Sequence, residues 1–193
     1  MKSIKFASAI ALAAGVLVMG SAQAQTFTGG EIRVTGAVSD ETCTIKGGAG
    51  TDGGTGNIGV ALEKVAASEL ATVGKAAGHK PFTLILGGKG QGACQDGKVA
   101  RLSFNTASGP IDAGTGTLRN VPTDGTAAAN TNIQLTTGAA TSPIDLNNPN
   151  SGVDFPAIVD NTATVTLGAQ YYPVGPVTAG LVDTHVQYVA SYN

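Results

Sequence analysis

Short apolar runs that alternate with polar residues, cut off at intervals by Gly, Asn, Asp or Pro, recur along most of this chain and constrain its fold more than any other feature. Alternation sends successive side chains to opposite faces, so each run reads as a strand with one face turned inward. The residues between them are turn formers. Candidate strands fall at 31–38, 42–46, 56–62, 80–86, 98–105, 131–136, 162–172 and 183–192. Seven or eight short strands at this spacing predict an all-β protein of two packed antiparallel sheets. The 28 glycines, the many Thr and Val residues and the 12% charged content agree with that reading.

One segment has a different period. Leu62, Val65, Ala66, Leu70 and Val73 recur at roughly helical spacing within 61–77, which supports a short helix or a helical turn inside an inter-strand connection. The run is short before Gly74 and Gly78, and isolated helices of that length are marginal. The stretches 47–56 and 106–130 are dominated by Gly, Thr, Ala, Asn and Asp and read as surface loops within one domain.

Residues 1–24 are expected to be an export signal rather than part of the fold. Lys2 and Lys5 open it, 10–19 is an apolar run, and Ala22-Gln23-Ala24 supplies the small residues a signal peptidase accepts, so cleavage falls before Gln25. A retained anchor would need about 20 apolar residues. The remaining 169 residues suit one domain with a proper core. Losing Lys2 and Lys5 takes the basic residues from 11 to nine against 13 acids, a net charge near −4 that gives no electrostatic reason to bind nucleic acid. The two cysteines, Cys43 and Cys94, both lie in the exported part, where a disulfide is the default. Closing a loop of about 50 residues would stabilise the fold by about 4 kcal/mol on the chain-entropy model. A metal site is the weaker alternative, since two cysteines fall short of four ligands.

Catalytic patterns lack their context. The run 84–93 leads from an apolar strand into glycines, but Ala93-Cys94-Gln95-Asp96-Gly97 follows, with no helix to face a phosphate. His79 and His185 have no carboxylate or cysteine at ligand spacing, and no serine sits in a Gly-x-Ser-x-Gly elbow. Asp40 and Glu41 are adjacent and point to opposite faces of a strand end. Asp52 heads a Gly-rich turn that lacks the acids of a calcium loop. No enzyme activity, cofactor or metal is expected.

The two ends carry the most information. In 26–38, Gly30, Ile32, Val34, Gly36 and Val38 share one phase of an alternating segment. In 183–193, Val186, Tyr188, Ala190 and Tyr192 share a face. A sandwich whose final strand lies at an unpaired edge presents a row of free backbone groups and an open groove. An alternating strand from an identical molecule could cover it.

These features together resemble the type 1 family of fimbrial subunits assembled by the chaperone–usher route. The resemblance rests on Gly30-Glu31-Ile32-Arg33-Val34-Thr35-Gly36-Ala37-Val38 ahead of Cys43, on Phe82-Thr83-Leu84-Ile85-Leu86 leading to Cys94, and on Asp112-Ala113-Gly114. It rests also on Ala169-Gln170-Tyr171-Tyr172, on Gly180 and on penultimate Tyr192. It extends along almost all of the mature chain. Segment 142–155 and the terminal Asn193 depart from the familiar pattern.

The resemblance implies an incomplete immunoglobulin-like β-sandwich over 39–193, lacking its seventh strand, with a disulfide joining Cys43 to Cys94. It implies a donor segment at 25–38, with Gly30 at a shallow groove pocket and Thr28, Ile32 and Val34 on the same phase. Gly180 and the face of Val186, Tyr188, Ala190 and Tyr192 would form the acceptor edge and chaperone contact. Implied partners are identical subunits, a periplasmic chaperone, an outer-membrane usher and tip or adaptor pilins, with export through the periplasm to a surface fimbria. A structural shaft subunit is the leading reading. A minor adaptor pilin of the same system and a secreted β-sandwich carbohydrate-binding protein are the alternatives.

Overall fold

A computed structural model describes residues 43–107, 109–122, 126–138 and 142–192. The expected signal, the donor segment with its strand at 31–38, and Thr42 lie outside them.

The long strands form where alternation is cleanest. β2 (Ala77–Gly87), β5 (Thr131–Thr137) and β8 (Thr162–Pro173) cover the expected strands at 80–86, 131–136 and 162–172, and β3 (Ala100–Asn105) forms all but the first two residues of the one expected at 98–105. β1 (Ile45–Gly47) and β9 (Gln187–Tyr192) are shorter than expected. β4 (Leu118–Arg119), β6 (Ser142–Pro143) and β7 (Gly152–Asp154) are additional short strands. The larger sheet runs in the order β1-β2-β8-β5-β4, with β6 also paired to β5, and the smaller in the order β7-β3-β9. Every strand pair is antiparallel.

The core lies where the inward phases meet. β2 contributes Phe82, Leu84 and Leu86, β8 contributes Ala163, Val165, Leu167 and Ala169, β5 contributes Ile133 and Leu135, and β3 contributes Ala100, Leu102 and Phe104. Burying each large aliphatic side chain stabilises the fold by about 1.5–3 kcal/mol. Polar side chains on the opposite phase satisfy one another: Gln170 donates to Gln134 at 2.8 Å and Asn132 to the Thr117 hydroxyl at 2.8 Å. Such pairing removes most of the cost of burying them.

The disulfide joins Cys43 to Cys94 and ties the entry of β1 to the loop after β2. That loop is held a second time by Asn161, whose side-chain amide donates to the Cys94 carbonyl at 2.8 Å and whose backbone N–H donates to Asp96 at 2.8 Å. Asp160 and Asn161 both have positive φ, 51° and 60°, as a tight two-residue hairpin turn between Val159 and Thr162 requires. Gly87 closes β2 at φ 73°, where a Cβ would lie 2.6 Å from the Cys94 sulfur and closer still to the Asn161 carbonyl oxygen.

Two expectations are corrected, those for 56–62 and 106–130. Residues 56–62 form no strand: Asp52 accepts from Gly59 N–H through its side chain and donates its own N–H to the Gly59 carbonyl, while Lys80 donates to the Ala61 carbonyl. With its backbone groups engaged by a turn and a side chain, the segment is extended wall rather than ladder. The helical spacing in 61–77 meets its expectation as a helical turn in an inter-strand connection, a single 3₁₀ turn at Ala67–Leu70 closed by the Glu69 carboxylate accepting from Ala66 N–H. The loop reading of 106–130 is also too plain, because it carries β4 and buries Leu118 and Ala128. Segment 142–155, which departs from the familiar pattern, places Ile144, Leu146 and Phe155 in the core.

Candidate functional site: an open groove between the sheets

β9 is an edge strand. Its register runs from Ala100↔Tyr192 to Asn105↔Gln187 against β3, and the smaller sheet has no further strand beyond it among the described residues. The outer side of β9 therefore presents backbone donors and acceptors to any strand that comes alongside. The segment before β9 continues the same alternation: Val182, Thr184, Val186 and Tyr188 are half-buried, and the residues between them are exposed.

Between this wall and the extended wall at 56–62 lies an open cavity of about 930 Å³. Ile58, Val60 and Leu62 line one side, Val182, Thr184, Val186 and Tyr188 the other. The floor is core, from Phe82, Leu84, Leu102, Phe104, Ile133, Leu135, Leu167 and Ala169. An apolar slot beside an unpaired strand edge suits an extended peptide with every second side chain apolar. The Thr184 hydroxyl is buried on the wall with no hydrogen-bond partner among the described residues.

At one end the two walls touch. The Tyr188 hydroxyl donates to the Gly56 carbonyl at 2.6 Å. Burial pushes the Tyr188 hydroxyl above its ordinary pKa, and burial followed by the nearby Glu63 charge does the same for Tyr171. Asp52 at the base of the 56–62 wall is held low by the N–H groups of Gly54 and Gly59, which favour its charged form.

Of the residues singled out for the acceptor edge, Val186 and Tyr188 line the cavity. Tyr192 is half-buried against the core at the far end of β9, and Ala190 is exposed; neither borders the cavity. Gly180 packs on the backbone of 126–128, where a Cβ would come within 2.3 Å of Ala128 N, and also lies away from the cavity. Thr28, Gly30, Ile32 and Val34 are outside the described residues. Sequence reasoning missed Val182 and the wall role of Ile58, Val60 and Leu62. Extending the alternation of β9 upstream of Asp183 would have found Val182. His185 borders the groove, and His79 contacts the Thr136 hydroxyl at 3.2 Å on the other phase of the larger sheet. Among the described residues no three His, Cys, Asp or Glu side chains gather as metal ligands.

Two antiparallel sheets packed face to face, with an apolar slot beside a strand that ends its sheet among the described residues, define an immunoglobulin-like β-sandwich. The chain is 33% identical over 180 residues to the F17 fimbrial protein of Escherichia coli, covering 92% of this chain and 95% of that one. It is 30% identical over 171 residues to the major fimbrial subunit SMF-1 of Stenotrophomonas maltophilia strain K279a, covering 85% and 92%. A solved chaperone–usher pilus structure superposes with a TM-score of 0.51 at 20% identity over 86% of this chain and 96% of that one, which supports the fold. No family model matches. The chain belongs to the family of fimbrial subunits, and it is a structural subunit of a surface fimbria with the immunoglobulin-like pilin fold.

Proposed function

We propose that the groove beside β9 receives residues 25–38 of another copy of this chain, so that subunits polymerise by donor-strand exchange. The observation that carries the proposal is an apolar slot walled by 56–62 alongside β9, beyond which the smaller sheet has no further strand among the described residues. The donor phase of Thr28, Gly30, Ile32 and Val34 supplies what such a slot takes: side chains at every second position, with a glycine where depth is least. The backbone of the donor completes the smaller sheet, and main-chain hydrogen bonds carry much of the affinity.

Before assembly a periplasmic chaperone occupies the same edge, which keeps free β9 groups from uncontrolled pairing, and an outer-membrane usher brings subunits together. The subunit builds the fibre shaft and has no catalytic role. Full-length similarity to a major fimbrial subunit supports the shaft position over that of a minor adaptor.

The test removes residues 25–34 and follows polymerisation of purified protein. The truncated subunit should stay folded, still take up a peptide of residues 25–38, and fail to extend fibres. Unchanged fibre formation would refute the donor assignment. Gly30→Trp refines it: blocked or slowed assembly is expected, and normal assembly means that another residue occupies the shallow position.

A further inference from the structure

The hydrogen bond between Tyr188 and Gly56 joins the two walls that an incoming strand has to part. We infer that Tyr188 is a clasp on the groove, which must release Gly56 before a donor strand can seat fully; this rests on the strand-accepting reading of the groove. Tyr188 belongs to β9, paired with Phe104 on its inner neighbour, and its hydroxyl reaches the facing wall at the point where that wall begins. Gly56 has φ 76° and donates its N–H to the Ile45 carbonyl, so the chain turns out of the groove there and holds the acceptor in place.

A strand pairing with β9 lies about 4.8 Å from it. The lane for that strand is therefore the space the Tyr188 side chain crosses. The Gly56 carbonyl is also one of the wall's backbone acceptors, so a donor N–H and the Tyr188 hydroxyl compete for it. The half-burial of Tyr188 places the phenol in the groove rather than in open solvent.

The clasp slows entry without contributing to the seated complex. Uptake of a fluorescent peptide of residues 25–38 by the purified protein should be faster for Tyr188→Phe by about fivefold, the order expected for one net hydrogen bond. Release of the seated peptide should be unchanged. A second measurement needs no variant: in ¹³C-tyrosine-labelled protein, the Cζ resonance of Tyr188 should shift when peptide binds, as its hydroxyl leaves Gly56. Uptake by Tyr188→Phe that is no faster than uptake by wild type, or a Cζ resonance that does not move on binding, overturns the clasp alone. Failure of the wild-type protein to take up any peptide overturns the strand-accepting reading itself.

Discussion

β8 and β9 are strands of similar alternation with different neighbours. β8 is paired along most of its length on both sides, to β2 and to β5, and its inward residues are buried. β9 is paired to β3 on one side only among the described residues, and its Tyr188, with Val182, Thr184 and Val186 just before the strand, is half-buried over an open slot. The same period-2 pattern thus serves two ends. In β8 it completes a core, and in β9 it leaves half a core for another strand to finish. Stability should therefore reside in the β2–β8–β5 sheet and its ties, and assembly in the groove walls.

Variants can break that division, beginning with the largest effect. Replacing Cys43 and Cys94 together by Ala should cost about 4 kcal/mol in denaturant unfolding, from the freed unfolded chain. Leu102→Ala, at a fully buried site between the sheets, should cost about 3 kcal/mol by lost burial and an unfilled cavity. A loss below about 1 kcal/mol there would mean that the core relaxes far more than its packing suggests. Gly87→Ala should cost about 1–3 kcal/mol, because its positive φ and the approach of Cys94 and Asn161 both oppose a side chain. Val186→Arg sharpens the comparison from the other side: within about 0.5 kcal/mol of wild type in unfolding, as for a surface substitution, but unable to take up the peptide of residues 25–38.

The smallest expected effect is one of pH. Tyr171 and Tyr188 keep their protons to higher pH in the fold than in the unfolded chain, where tyrosine titrates near 10. Their contribution is complete below pH about 10 and is lost as pH rises through the raised folded values. Phenolate absorbance should therefore show two late-titrating tyrosines, and alkaline unfolding should begin as they ionise.

The strands of the larger sheet were legible because β2, β5 and β8 bury one face and repeat with a period of two. The disulfide was legible from cysteine count and export. The 56–62 wall was misread for the same reason that made β8 readable: Ile58, Val60 and Leu62 alternate as a strand does, and alternation reports an apolar face without reporting a hydrogen-bonded neighbour. Ile144, Leu146 and Phe155 were missed because Asn and Pro around them signal loop, while their burial depends on tertiary packing that local pattern does not encode. The Tyr188 contact with Gly56 spans 132 positions and has no local signature at all. The groove itself was anticipated through the logic of an edge strand and through the resemblance to fimbrial subunits, not through any local pattern of its walls.

The most direct test of the account is amide hydrogen exchange on the purified protein with and without the peptide of residues 25–38. The account predicts new protection on alternate amides of 182–192 and along 56–62, with β2, β5 and β8 unchanged. Peptide-dependent protection confined to the larger sheet, or none anywhere, would contradict it.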